Sequence, residues 1–159
     1  MRRILSILLE NESGALSRVV GLFSQRGYNI ESLTVAPTDD PTLSRITIQT
    51  MGDEQVIEQI EKQLHKLVDV LKVNQLTQNA LVEREIMLIK LQAEGENNRS
   101  EILRYTQIFA GKIVDSSLHH FTLEIIGDSA KLDSFVDQMQ HLNLVIEVVR
   151  SGVIGMTRG

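Results

Sequence analysis

The segment with the clearest binding chemistry is the turn from Asn11 to Arg18, which reads Asn-Glu-Ser-Gly-Ala-Leu-Ser-Arg. Gly14 permits backbone angles that other residues avoid and lets a ligand approach the main chain closely. A helix that starts here would offer N–H groups without intrahelical partners and the positive end of its dipole, which suits a carboxylate. Asn11 adds both a donor and an acceptor. Together these groups can hold the carboxyl and amino groups of a free amino acid.

An ordinary helix start explains the same residues. Ser13 or Asn11 can serve as the N-cap, with Gly14 as a turn residue. Asn29-Ile30 opens the next predicted strand and can lie beside the turn, which favours a binding site. On residue chemistry alone, capping is the more economical interpretation, and both remain open.

The other polar residues give little support for catalysis or metal binding. His119 and His120 are neighbours near a strand start, so their side chains point to opposite faces and cannot easily share one metal. Asp39-Asp40 lies between two prolines, where a solvated turn is expected. No nucleotide-binding or nucleophile motif is present. We therefore predict no catalytic and no metal-ligating residues.

Composition excludes several classes of protein. The net charge of -5 disfavours binding to nucleic acid, and with 4% aromatic residues base stacking is not expected. No apolar stretch approaches the roughly 20 residues of a membrane span. The apolar run after Arg2-Arg3 stops at Glu10, too short for a signal peptide. The absence of cysteine fits a reducing compartment, and we expect a cytoplasmic protein.

Hydrophobic periodicity predicts the elements that position the turn. Leu16, Val19, Val20 and Phe23 recur at helical spacing, and Gly27 is well placed to end that helix. Period-two patterns mark the strands, and Gly52-Asp53 can start a second helix. The predicted strands are 2–9, 29–36, 43–50 and 68–76, and the predicted helices are 15–26 and 53–66.

The second half repeats this βαββαβ order, and Gly127-Asp128 stands at the same strand-to-helix junction as Gly52-Asp53. The predicted strands are 85–92, 112–117, 120–126 and 145–149; helices follow at 97–109 and after Gly127-Asp128. We predict an α+β protein of two ferredoxin-like sandwiches. The predicted boundaries are 1–76, a linker at 77–84, and 85–159. Sheets this small leave edges to protect, so oligomerisation is expected.

Residues 10–18 and 22–35 resemble the ACT domain of acetohydroxyacid (acetolactate) synthase small subunits. The motif Gly27-Tyr28-Asn29-Ile30 is highly specific for this family, in the valine-sensitive bacterial isozyme III form. The similarity spans nearly the whole chain and continues through 44–48, 63–70, 82–85 and 150–152.

This resemblance implies a regulatory subunit without catalytic activity or cofactors of its own. The catalytic large subunit would carry thiamine diphosphate, Mg²⁺ and FAD, and this chain would activate it and confer feedback inhibition by valine. Two ACT domains from two chains would form a homodimer with valine at their interface. Backbone N–H groups at the turn would bind the carboxylate, asparagines the polar groups, and apolar neighbours the isopropyl group. The implied valine-binding residues are Asn11, Gly14, Ala15, Leu16, Asn29 and Ile30.

Three alternatives remain. An ACT-type sensor can serve another enzyme or bind another amino acid. RNA-binding domains share the βαββαβ order, although the acidic charge and the missing aromatic strand motifs argue against one. Finally, the chain can be an enzyme in its own right, which turnover of pyruvate by the isolated chain would reveal.

Overall fold

Alternating apolar residues build the first sheet of the chain. In the computed structural model, which describes residues 1–159, Leu5, Ile7 and Leu9 of the first strand are buried on the face that the helices cover. The βαββαβ order matches the prediction, with ends that differ by one or two residues. The elements are β1 (Arg2–Glu10), α1 (Ala15–Gln25), β2 (Ile30–Pro37), β3 (Leu43–Met51), α2 (Glu54–His65) and β4 (Val70–Gln75).

The first sheet is antiparallel, with β1 in the centre and β2 at an edge. Its strand order is β2-β3-β1-β4, the order of a ferredoxin-like fold. Ile7 of β1 pairs with Ile46 of β3 on one side and with Val73 of β4 on the other. The helices bury one apolar face each against this sheet, with Ala15, Val19 and Phe23 from α1 and Ile57, Ile60 and Leu64 from α2.

The second unit repeats the architecture with a separate core. Its sheet order is β6-β7-β5-β8, again antiparallel about a central strand. The predicted Gly-Asp junctions are confirmed as helix starts, because Asp53 and Asp128 each accept a backbone N–H at the start of α2 and α4. The elements are β5 (Leu81–Gln92), α3 (Glu96–Ile108), β6 (Lys112–Ser116), β7 (His120–Gly127), α4 (Ser129–His141) and β8 (Val145–Arg150).

The C-terminal residues depart from the predicted boundaries. The two compact units are Met1–Val82 with Val153–Gly159, and Glu83–Gly152. Residues 153–159, predicted within the domain 85–159, pack with the first unit because Val153 fills an apolar cluster with Ile4 and Leu76. An unpredicted strand, β9 (Ile154–Thr157), pairs with β5, whose first residues, Leu81 and Val82, belong to the first unit.

The predicted linker 77–84 is also structured. A short 3-10 helix spans Leu76–Gln78, and β5 begins at Leu81. None of the helices has the length and apolar character needed to cross a membrane.

Candidate functional site

The turn between β1 and α1 ends on a glycine in a left-handed conformation. Gly14 has φ +86° and ψ -10° and is the residue immediately before α1. Only glycine adopts this conformation without strain. A Cβ at this position would also lie 2.9 Å from Nη1 of Arg18, one helical turn later.

Helix α1 has no side-chain cap, so the predicted capping by Ser13 or Asn11 is not what the structure shows. The N–H of Ala15 donates to the carbonyl of Glu12 at 3.2 Å, which leaves the N–H groups of Leu16 and Ser17 without partners in the chain. Of the predicted donors Gly14–Leu16, only Ala15 is bonded within the chain, so the N–H groups of Gly14 and Leu16 remain available together with that of Ser17. Free donors and the helix dipole together make this end of α1 suitable for an anion.

Asn11 braces the turn against the loop between β2 and β3. Its backbone N–H donates to the carbonyl of Thr42 at 2.8 Å, and its side-chain Nδ2 donates to the carbonyl of Pro41 at 3.1 Å. The residue is exposed. It therefore lies at the surface with one side of its amide held and the other side open.

The turn is flanked by an ion pair, which was not predicted from the sequence. Nε of Arg18 donates to Oδ2 of Asp69 at 2.6 Å, and the Asp69 side chain is 6% exposed. The hydrogen bond to this carboxylate raises the pKa of Arg18 above its ordinary value. The four-residue spacing between Gly14 and Arg18 placed both on one face of α1, whereas Asp69 is distant in sequence and no local pattern points to it.

Asn29 and Ile30 lie far from the turn within one chain, contrary to the expectation that they can lie beside it. Ile30 pairs with Thr50, which also pairs with Arg3 at the start of β1. The turn follows Glu10 at the other end of that strand, and seven residues of extended chain span roughly 24 Å. A single chain therefore does not bring the two halves of the predicted site together.

The groove that reaches the predicted turn is open and contains only Gly14 of the predicted valine-binding residues. An open groove of about 500 Å³ runs along α1 from Gly14 and Arg18 toward Gln63 of α2. Asn11, Leu16, Asn29 and Ile30 do not line it. No cluster of histidine and carboxylate side chains is suited to hold a metal ion.

Exposed apolar residues on α1 and β2 mark a surface without a covering element. Leu16 and Val20, one helical turn apart, are 38% and 37% exposed, and Val35 on β2 is 43% exposed. β2 is an edge strand that pairs only with β3, so its outer backbone groups are unpaired within the sheet. Because α1 connects the central β1 to this edge, both features belong to the same side of the unit.

An arginine side chain braces the corresponding turn of the second unit. Gly95, with φ +81°, precedes α3 as Gly14 precedes α1, and Ala93 stands where Asn11 stands in the first unit. Arg99 is four residues after Gly95, and its Nη1 donates to the carbonyls of Ala93, Ser117 and Leu118 at 3.0, 3.1 and 3.3 Å. Helix α3, like α1, has no side-chain cap, so the two turns differ in the side chain that braces them, Asn11 in the first unit and Arg99 in the second.

Comparison with known families assigns both units. Residues 5–72 match the model of an AHAS small subunit-like ACT domain, and residues 84–159 match the model of the small subunit of acetolactate synthase. The chain is 66% identical over 159 residues to the acetolactate synthase isozyme 3 small subunit of Escherichia coli K12, covering all of this chain and 97% of that protein. It is 59% identical to the acetolactate synthase small subunit of Haemophilus influenzae, with coverage of 100% and 97%.

A solved structure agrees with the fold along the whole chain. The acetolactate synthase small subunit of Thermotoga maritima superposes with a TM-score of 0.88 at 39% identity, covering 100% of this chain and 98% of that one. Identity at this level over nearly the full length of each relative, together with the two ferredoxin-like units, establishes the family predicted from the turn and the Gly27-Tyr28-Asn29-Ile30 motif. This chain belongs to the family of acetolactate synthase small subunits.

Proposed function

We propose that this chain is a regulatory subunit that binds valine and transmits feedback inhibition to the catalytic large subunit of acetolactate synthase. The observation that carries the proposal is the uncapped start of α1, where the N–H groups of Leu16 and Ser17 are free at the end of the turn that Asn11 begins. The similarity to small subunits named for isozyme 3, the valine-sensitive form, supports the choice of effector.

The site is completed by a second copy of the chain. If two β2 edges pair antiparallel about a twofold axis, the start of one strand lies beside the end of the other. Pro37 at the end of β2 pairs with Ser44, next to the Leu43–Glu10 pair at the turn. Asn29 and Ile30 of the partner subunit would then lie beside Asn11. The separation of the two segments within one chain thus favours a homodimeric site.

Each group of valine has a partner in this arrangement. The carboxylate accepts from the free N–H groups at the start of α1, where the helix dipole is positive. Asn11 and the partner subunit's Asn29 bind polar groups of the effector. Leu16 offers apolar surface to the isopropyl group, and Ala15 is buried in the core behind the helix start.

Regulation requires that valine prefer one state of the complex over another. A ligand that bridges two subunits binds tightly only when both subunits contribute their half of the site. Valine can therefore favour one arrangement of the β2 interface over another. The chemistry itself belongs to the catalytic subunit, which would hold thiamine diphosphate, Mg²⁺ and FAD. We place the complex in the cytoplasm, consistent with a chain that has no cysteine.

The decisive experiment mixes purified chain with the catalytic subunit and measures acetolactate formation with and without valine. Activity should rise on adding this chain and fall on adding valine, while the chain alone turns over no pyruvate. Calorimetry with valine, leucine, isoleucine and serine separates valine from other effectors. Activation without any valine response would reject the proposal in favour of another effector.

A further inference from the structure

The loop between β2 and β3 is fixed by side chains rather than by backbone bonds alone. Oδ1 of Asp40 accepts from the backbone N–H of Thr42 at 2.9 Å and from its Oγ1 at 2.7 Å. Thr38 Oγ1 donates to the Asp40 carbonyl at 2.9 Å and accepts from the Asp40 N–H at 3.1 Å. The carbonyls of Pro41 and Thr42 are therefore held in one orientation.

Those two carbonyls determine how Asn11 is oriented. They accept from its side-chain Nδ2 and its backbone N–H. Because a carbonyl oxygen can only accept, the amide nitrogen of Asn11 must face Pro41. The side-chain Oδ1 therefore points away from the loop, and it accepts no hydrogen bond from the chain.

We propose that Asp40 is a positioning residue of the effector site, which orients Asn11 so that its Oδ1 accepts a hydrogen bond from the ammonium group of the effector. This inference rests on the proposed function, because it assumes an amino acid bound at the turn. The opposite orientation would turn the amide nitrogen toward the effector. The observed one turns Oδ1 toward it, and this acceptor can pair with the ammonium group but not with the carboxylate. The carboxylate is left to the N–H groups of Leu16 and Ser17.

Selectivity between amino acids and 2-oxo acids follows. In 3-methyl-2-oxobutanoate, which has the carbon skeleton of valine, a carbonyl oxygen replaces the ammonium group. That oxygen and Asn11 Oδ1 are both acceptors and cannot form a hydrogen bond. The substrates of the catalytic subunit are 2-oxo acids, so the regulatory site is exposed to them. The oriented amide of Asn11 therefore lets the site distinguish valine from 2-oxo acids.

The second unit supplies an internal comparison. The carbonyl of Leu118 occupies the place of the Pro41 carbonyl, since His119, like Thr42, accepts from the backbone N–H at the turn. There the donor is Arg99, and the residue equivalent to Asn11 is Ala93. A guanidinium has no acceptor atom, so bracing of the loop alone does not require an amide. What the amide adds in the first unit is the free Oδ1.

The test uses the full-length chain with Asp40→Ala and, as a matched control on the same turn, Asp39→Ala. Calorimetry gives the affinity for valine, and displacement of valine gives the affinity for 3-methyl-2-oxobutanoate. We expect Asp40→Ala to weaken valine about tenfold, the scale of one hydrogen bond to a charged group, and to change the 2-oxo acid less than twofold. Asp39→Ala should change neither. Equal weakening of both ligands, or unchanged valine affinity, overturns the proposal.

A second measurement can be made even if the 2-oxo acid binds neither the wild type nor Asp40→Ala. The side-chain NH₂ of Asn11, assigned by its loss in Asn11→Asp, should exchange with solvent faster in Asp40→Ala than in the wild type or Asp39→Ala. Unchanged exchange shows that Asp40 does not position the amide. Wild-type chain that binds no valine at all would instead reject the proposed function, so the two failures are distinct.

Discussion

Nη1 of Arg18 lies 2.9 Å from the place that a Cβ on Gly14 would occupy, while Nε of the same guanidinium bonds Asp69 at 2.6 Å. Gly14 is thus constrained twice, by its positive φ and by a cation held over it. The cation is flexible at its far end and can move aside, so the backbone conformation is the stricter constraint.

Gly14→Asp should abolish the valine response while sparing folding and activation. A non-glycine residue in this conformation costs about 1 kcal/mol. The new carboxylate can pair with Arg18 and lies at a helix start, which offsets part of that cost. However, it stands where the effector carboxylate should bind. Calorimetry with valine and the holoenzyme assay measure both effects.

Gly14→Ala is the control for this substitution, because it carries the backbone strain without the charge. It should lose stability to a similar degree but keep a measurable valine response. If Gly14→Asp responds to the same valine concentration as the wild type, the effector does not bind at this turn.

The dimer interface can be tested on the exposed face of α1. Val20→Asp should favour the monomer, because a carboxylate buried between two subunits without a partner is strongly unfavourable. Val68→Asp is the matched control: Val68 is 88% exposed and lies between α2 and β4, away from the β2 edge. Sedimentation velocity of each variant gives the fraction of dimer, and valine binding should fall with it. Two variants that dimerise equally would place the interface elsewhere.

The core and element order could be predicted because they depend on local periodicity. The stripe of Val19 and Phe23 on α1 and the alternation in β1 report burial directly. The starts of the two Asp-capped helices could be predicted from the Gly-Asp pairs, because a helix cap is also a local feature of the sequence. These features require only neighbours in sequence.

Features that depend on distant residues could not be predicted. Asp69 pairs with Arg18 across 51 residues, and Val153 is buried against Ile4, near the other end of the chain. Ile30 lies at the opposite end of the sheet from the turn because of the register in which β2 pairs with β3. No motif in either strand indicates that register. The Asn11–Leu16 half of the candidate site could thus be located from sequence, whereas its relation to Asn29-Ile30 needed the sheet topology.

The second unit contains a buried carboxylate whose partner should matter for stability. Glu85 is 8% exposed and accepts from Nε and Nη2 of Arg150 at 3.1 and 2.6 Å and from the N–H of Gly152 at 2.9 Å. Arg150→Met would leave this carboxylate buried without its cation. We expect a loss of about 2 kcal/mol in the free energy of unfolding, below the usual range for a buried pair because Arg150 is partly exposed.

Arg104→Met provides the comparison within the same unit. Arg104 pairs with Glu101 on the exposed side of α3, where solvent screens the interaction. Urea denaturation should show little change for Arg104→Met and a lower midpoint for Arg150→Met. Equal midpoints would mean that Glu85 finds water or another donor when Arg150 is removed.

The Asp40 loop should respond to acid at an unusually low pH. Hydrogen bonds from Oγ1 and the N–H of Thr42 stabilise the ionised carboxylate and lower the pKa of Asp40 below its ordinary value. A carboxyl group whose pKa is lower in the folded state stabilises that state above its unfolded pKa. The contribution is lost as the pH falls through the folded pKa. The loop should therefore stay closed until the pH is below the usual range for aspartate.

Thr42→Val removes the hydroxyl donor, so the pKa of Asp40 should rise toward its ordinary value and the loop should open at higher pH. Thr38→Val is the control, because Thr38 contacts the backbone of Asp40 and not its carboxylate. Titration of the Asp40 carboxyl carbon by NMR gives the pKa in each protein. Exchange of the Asn11 side-chain amide reports whether the loop opens with it. An unchanged pKa in Thr42→Val would show that the hydroxyl bond does not hold the carboxylate in solution.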